Sequence, residues 1–136
     1  MRAHPDPARV AELDPSVLAA RRFSRQKIDY LTGAAREAAE GRLDVEQLTA
    51  GSARAAEQKL TSIRGIGTWT ARYVLLRAGF ADSAPVGDAA LAAALQRVHT
   101  LEARPNSEEA ERLMRDFSPH RSLATTHLWA SLREAA

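Results

Sequence analysis

Two glycines one residue apart, Gly65 and Gly67, interrupt the run Leu60–Tyr73 (LTSIRGIGTWTARY), and this break most constrains the fold around it. Leu60 and Ile63 precede it at helical spacing, and Thr68-Trp69-Thr70-Ala71 follows it with no further helix breaker. The spacing predicts two helices joined at Gly65-Ile66-Gly67, because glycine allows positive φ and lets a ligand approach the backbone with no Cβ between. Ile66 is expected to anchor the hairpin by burying its side chain between the helices. The second helix starts at once, so its free N–H groups and positive dipole end face the turn. Such a turn holds an anion without any side-chain charge. For an isolated Gly-x-Gly, a helix C-cap followed by a turn glycine is the plainer reading; here the flanking residues favour the hairpin.

The rest of the chain gives no strand signal: no sustained alternation of polar and apolar residues, and few β-branched or aromatic runs. Alanine, leucine and arginine dominate, all good helix formers, and cap signals cut the 136 residues into short helices. Met1–Asp6 reads as a loose end and Pro7–Leu13 as a short helix. Asp14-Pro15 opens a turn to about Ala20. Ser24 starts a long helix ending at Gly41, with Ile28, Leu31, Ala35 and Ala38 on one face. Asp44 caps a short helix through Leu48, and Ser52 opens one with Ala56, Leu60 and Ile63 inward. Thr68–Ala78 is helical and stopped by Gly79; Phe80–Val86 is a loop. Gly87 or Asp88 begins a helix with Leu91, Leu95 and Val98 inward. Ser107 is expected to cap Glu108–Phe117, and Ser118-Pro119 a last helix carrying Leu123, His127, Trp129 and Leu132. The expectation is an all-α fold: one compact multi-helix domain over residues 1–136 containing the hairpin.

Composition narrows function by exclusion. Cysteine is absent, which removes disulfides, thiolate metal sites and a cysteine nucleophile. The net charge is only +2, and Lys27 and Lys59 are the only lysines, so a basic face is local at most. His4, His99, His120 and His127 lack metal-ligand spacing. No apolar run is long enough to span a membrane and no signal peptide is visible, so a cytoplasmic protein without a membrane partner is expected.

Asp88, after Pro85-Val86-Gly87, suits a helix start, where negative charge is favoured. Asp82 reads as a solvated loop carboxylate. Trp69 and Tyr73 lie four apart on the second hairpin helix and Trp129 on the last helix. Core packing and a surface for stacking a flat base are both open for them. Arg64 and Arg72 flank the hairpin as phosphate contacts or solvated charges. His120-Arg121-Ser122 fits surface or capping roles better than chemistry.

Three segments together, IRGIGTWTARYVLLR, APVGDAALAAAL and FSPHRSLATTHLW, resemble the helix–hairpin–helix DNA glycosylases, specifically the AlkA-like 3-methyladenine DNA glycosylase II group. RRFSRQKIDYLTGAAREAAEGRLD adds a weaker likeness, and the match runs from about Pro7 to Leu132. The resemblance implies that backbone N–H groups of Gly65, Gly67 and Thr70 hold a phosphate of double-stranded DNA containing damaged bases. It implies that carbonyls of Thr61, Ile63 and Gly65 ligate a structural Na+ or K+, with no other cofactor. Asp88 matches the catalytic aspartate, and Trp69, Tyr73 and Trp129 the base pocket. Bifunctional relatives carry a Schiff-base lysine where this chain has Trp69, so a monofunctional glycosylase of alkylated bases is implied. A non-catalytic DNA-backbone-binding module or an inactive remnant is the alternative. The chain is expected to be shortened at its front relative to the family, lacking upstream helices. Self-association or a partner chain is expected to cover the surface they leave.

Overall fold

The computed structural model describes residues 4–133; the first three residues of the expected loose end Met1–Asp6 lie outside them. Among the described residues the regular structure is entirely helical. It comprises α1 (Pro7–Ala11), α2 (Pro15–Ala19), α3 (Arg25–Ala39), α4 (Val45–Thr49), α5 (Ala53–Thr61), α6 (Thr68–Arg77), α7 (Ala89–Val98), α8 (Ser107–Met114) and α9 (Arg121–Arg133), with a 3-10 turn Arg115–Phe117 after α8. Local chemistry explains these starts. Asp14, Ser24, Asp44, Ser52 and Asp88 each accept a backbone N–H from the first turn of the helix they precede. Each such cap contributes about 1 kcal/mol. Asp6 does the same for α1, and prolines open α1 and α2.

Two helix starts differ from expectation. Asn106, not Ser107, caps α8: its side chain accepts the Glu109 N–H while Glu109 accepts the Asn106 N–H, each at 3.0 Å. This reciprocal pair satisfies two end donors together, which Ser107 cannot match, having Ala110 three residues on. The last helix begins at Arg121 rather than directly after Ser118-Pro119, because Phe117–His120 forms a turn closed by the His120 N–H on the Phe117 carbonyl at 2.7 Å.

The chain divides into two compact units between Gly67 and Thr68. In the first, α1 and α2 pack on α3 and α4 packs on α5. Leu18, Ile28, Leu48, Ala56 and Leu60 are buried. Leu31, expected inward, is 38% exposed; α3 buries only Ile28, and Ala35 and Ala38 beside it are half-buried.

In the second unit α7 packs on α8 and α9 around Ala84, Leu91, Ala94, Leu95, Ala110, Met114 and Leu128. Val98, expected inward, is 55% exposed, and Leu123 is 59% exposed. With Phe117 and Leu128 they line an open groove of about 510 Å³ instead of entering the core.

A charge chain braces this unit. The Arg121 guanidinium donates to Asp82 Oδ1 at 2.6 Å and Oδ2 at 3.1 Å, and to Glu111 at 3.1 Å. Glu111 also receives Arg72 at 2.5 Å. Asp82 is therefore no solvated loop residue, and its pairing with Arg121 holds its carboxyl below the usual carboxylate range. Arg72 is likewise committed within the protein and not to a free helix face. Ser122, beside Arg121, is buried; its hydroxyl donates to the Phe80 carbonyl at 2.5 Å and accepts the Ser83 N–H at 3.0 Å. These bonds hold the 80–86 loop on the start of α9.

Candidate active site

The loop held by Arg121 and Ser122 leads to Asp88. Gly87 takes φ +92°, a left-handed conformation that glycine adopts without strain, and the Asp88 N–H closes the turn on the Pro85 carbonyl at 3.2 Å. Asp88 then caps α7, as its sequence position predicts. Its Oδ2 accepts the Leu91 N–H at 2.8 Å. The same oxygen accepts the Trp129 indole N–H from α9 at 3.0 Å. Asp88 is half-buried.

The three aromatics that sequence places on two helices, Trp69 and Tyr73 on α6 and Trp129 on α9, come together here. Trp69 stacks on Tyr73, with ring centroids 5.7 Å apart and planes 20° off parallel. Tyr73 meets Trp129 at 6.0 Å and 44°. Trp69 is 43% exposed, Tyr73 38%, and Trp129 half-buried. None of the three belongs to the second unit's core cluster. The result is an aromatic row, exposed at its outer two rings, whose inner end donates to a carboxylate. Such a row offers π faces to a flat, electron-poor ring, and the carboxylate offers negative charge to a centre becoming positive. The Trp129–Asp88 bond spans 41 residues, and no local sequence signal announces it. The groove on α7 and α9 is a separate feature that contains neither Asp88 nor these rings.

The hairpin straddles the division between the two units. On the first-unit side, Gly65 has φ +93°, and the Tyr30 ring lies so close that a Cβ there would stand 2.2 Å from Tyr30 Cγ. Gly65 is thus required by backbone and packing together. Gly67 departs from the expectation of a conformational glycine: its φ is not positive, and nothing lies within 4 Å of its virtual Cβ. Ile66 is half-buried, and its N–H donates to the Ile63 carbonyl at 3.0 Å. Thr61 ends α5, its hydroxyl donating to the Glu57 carbonyl at 2.9 Å. On the second-unit side, Thr70 is half-buried in the first turn of α6. Arg64 is exposed. Among the described residues no three His, Asp or Glu side chains gather as a metal-ligating group.

Residues 1–120 match the family described as HhH-GPD superfamily base excision DNA repair protein. The chain is 34% identical over 125 residues to a DNA-3-methyladenine glycosylase of Bacillus subtilis (strain 168), covering 91% of this chain and 41% of that protein. The fold matches the Schizosaccharomyces pombe 3-methyladenine DNA glycosylase, solved in complex with abasic DNA, with a TM-score of 0.85 and 27% identity, over 92% of this chain and 62% of that one. It also matches a DNA-3-methyladenine glycosidase from Bacillus halodurans, with a TM-score of 0.78 and 25% identity, over 95% of this chain and 60% of that one. The chain therefore spans less than half of the Bacillus subtilis relative and about three fifths of these two solved chains. It belongs to the HhH-GPD superfamily of base excision DNA repair proteins.

Proposed function

We propose that this chain carries the working residues of a monofunctional DNA glycosylase that releases alkylated bases of the 3-methyladenine type from duplex DNA. The observation that carries this reading is the half-buried Asp88 carboxylate at the inner end of the Trp69–Tyr73–Trp129 row, whose outer two rings are exposed. A base turned out of the duplex, at a cost of a few kcal/mol, stacks on that row. An alkylated base is cationic and electron-poor, which favours the π faces. The C1′–N bond then breaks and its electron pair leaves on the base, which departs neutral. Positive charge grows on the sugar opposite Asp88, whose carboxylate stabilises it. A water oxygen bonds to C1′ and its proton passes to solvent by way of the carboxylate. Trp69 occupies the position at which a lysine would serve strand cleavage, so the reaction ends at base release.

The N–H groups of Gly65, Gly67 and Thr70 are proposed as the DNA-phosphate donors. The open space at Gly67, and its lack of a side chain to cap α6, support this role. A monovalent cation, Na+ or K+, fits the carbonyls of Thr61, Ile63 and Gly65 as hard oxygen ligands. The Ile63 carbonyl already accepts one N–H and keeps a second lone pair. Such an ion would supply positive charge beside the bound phosphate.

Base release from methylated duplex DNA by wild type and Asp88→Asn is the test. Asparagine keeps the helix cap but removes the charge, so release should fall by roughly 100-fold or more with DNA affinity little changed. Equal DNA binding with no release by either protein would leave a backbone-binding module and refute the enzyme.

A further inference from the structure

Both protein donors to Asp88 converge on one oxygen. Leu91 N–H and Trp129 Nε1–H reach Oδ2 at 2.8 Å and 3.0 Å, and among the described residues no donor reaches Oδ1. From this asymmetry, and resting on the glycosylase reading above, we infer that Trp129 is a positioning residue: its indole N–H locks the Asp88 carboxylate so that Oδ1 is the oxygen presented to the sugar.

A carboxylate held by the cap bond alone keeps freedom to turn about its terminal bond, a broad torsion without deep staggered wells. A second donor from another helix, arriving at the same oxygen, removes that freedom. The indole suits the task because it donates and never accepts, so it binds the carboxylate in one sense only. A charge-assisted bond of this kind is about twice as strong as a neutral one. The lone pairs of Oδ1 are left for the developing positive charge and the incoming water. This gives Trp129 a part distinct from that of Trp69, which stacks on Tyr73. The α7–α9 packing that carries the second unit's core therefore also aligns the carboxylate: α7 supplies Asp88 and one donor, α9 the other.

The chain has two tryptophans, so its two indole N–H signals in a ¹⁵N–¹H spectrum of the DNA-free protein are assignable with Trp69→Phe and Trp129→Phe. Asp88→Asn should shift the Trp129 indole signal and speed its exchange with solvent, leaving the Trp69 signal in place. An unmoved Trp129 signal, exchanging as fast as that of Trp69, overturns the proposal. In single-turnover base release, Trp129→Phe keeps a ring but loses the donor and should slow the chemical step by about 10- to 100-fold, with DNA affinity within about threefold of wild type. Added to Asp88→Asn it should cost nothing further. An equal additional loss on the Asp88→Asn background would make Trp129 an independent pocket wall and refute the positioning role. Inactivity of the wild type would count against the glycosylase reading instead, and the indole signals would then decide the contact by themselves.

Discussion

At Gly65 a φ of +93° and the Tyr30 ring both exclude a side chain, whereas Gly67, one residue further on, has neither constraint. The sequence shows Gly-Ile-Gly and cannot separate these two situations, since the ring over Gly65 belongs to Tyr30 on α3, two helices earlier in the chain. The two alanine substitutions should therefore diverge. Gly65→Ala should lower stability by roughly 2–4 kcal/mol, combining positive-φ strain with overpacking against Tyr30, and any loss of DNA binding will be mixed with unfolding. Gly67→Ala should leave stability within about 0.5 kcal/mol of wild type yet weaken DNA binding, because only an approaching phosphate meets the new methyl. Urea denaturation checks the first and salt-dependent binding the second. Full affinity in a stable Gly67→Ala protein would remove Gly67 from the phosphate site. Asp88 was more legible than either glycine: a carboxylate before an Ala/Leu run states its own cap. Its indole partner was hidden because it depends on how α7 and α9 pack.

Helix starts depend on two to four neighbouring residues, and this explains why most of them were readable in advance. The α8 start is an exception: the expected cap was Ser107, while Asn106 and Glu109, three apart, form the reciprocal capping pair that sets it. The bracing of α6, α8 and α9 was not readable in advance, because Asp82 and Arg121 stand 39 residues apart. That bracing has a pH signature. Asp82 is held below its ordinary carboxylate range chiefly by the Arg121 hydrogen bonds, against an opposing contribution from burial. A depressed folded-state value means that the unfolded chain binds the proton more readily. The Asp82 contribution should then be complete above the unfolded value of about pH 4 and fade as pH falls through the lower folded value. Urea denaturation of wild type and Asp82→Asn from neutral pH to pH 2.5 should show a stability gap that closes on acidification. A gap that stays constant across this range would show that Asp82 contributes by shape alone. Arg121→Ala should cost on the order of 2 kcal/mol at neutral pH, discounted for the partial exposure of both partners.

Across the whole chain, burial is uneven. The second unit owns a continuous core in which Leu91, Leu95 and Met114 are fully enclosed. The first unit buries Leu18, Ile28, Leu48, Ala56 and Leu60, and α3, its longest helix, contributes only Ile28 to that set. The sequence predicted one helical domain and gave no warning of this contrast, because alanine-rich faces look apolar without filling much volume. Local stability follows enclosed apolar contact, so the amides of α7 and α9 should exchange with deuterium more than about tenfold slower than those of α3. Hydrogen-exchange mass spectrometry of the DNA-free chain measures this directly. Equal protection of α3 and α7 would mean that the chain opens only as one cooperative body. The expected order places Asp88 and Trp129 on the most persistent part of the molecule, as a fixed carboxylate requires. It leaves Gly65 and the turn carbonyls on the part that opens more readily, where bound phosphate should slow exchange most. Adding a short duplex should therefore increase protection around residues 61–67 while leaving the central amides of α7 nearly unchanged. Protection gained only in α7 would contradict a phosphate grip at the hairpin.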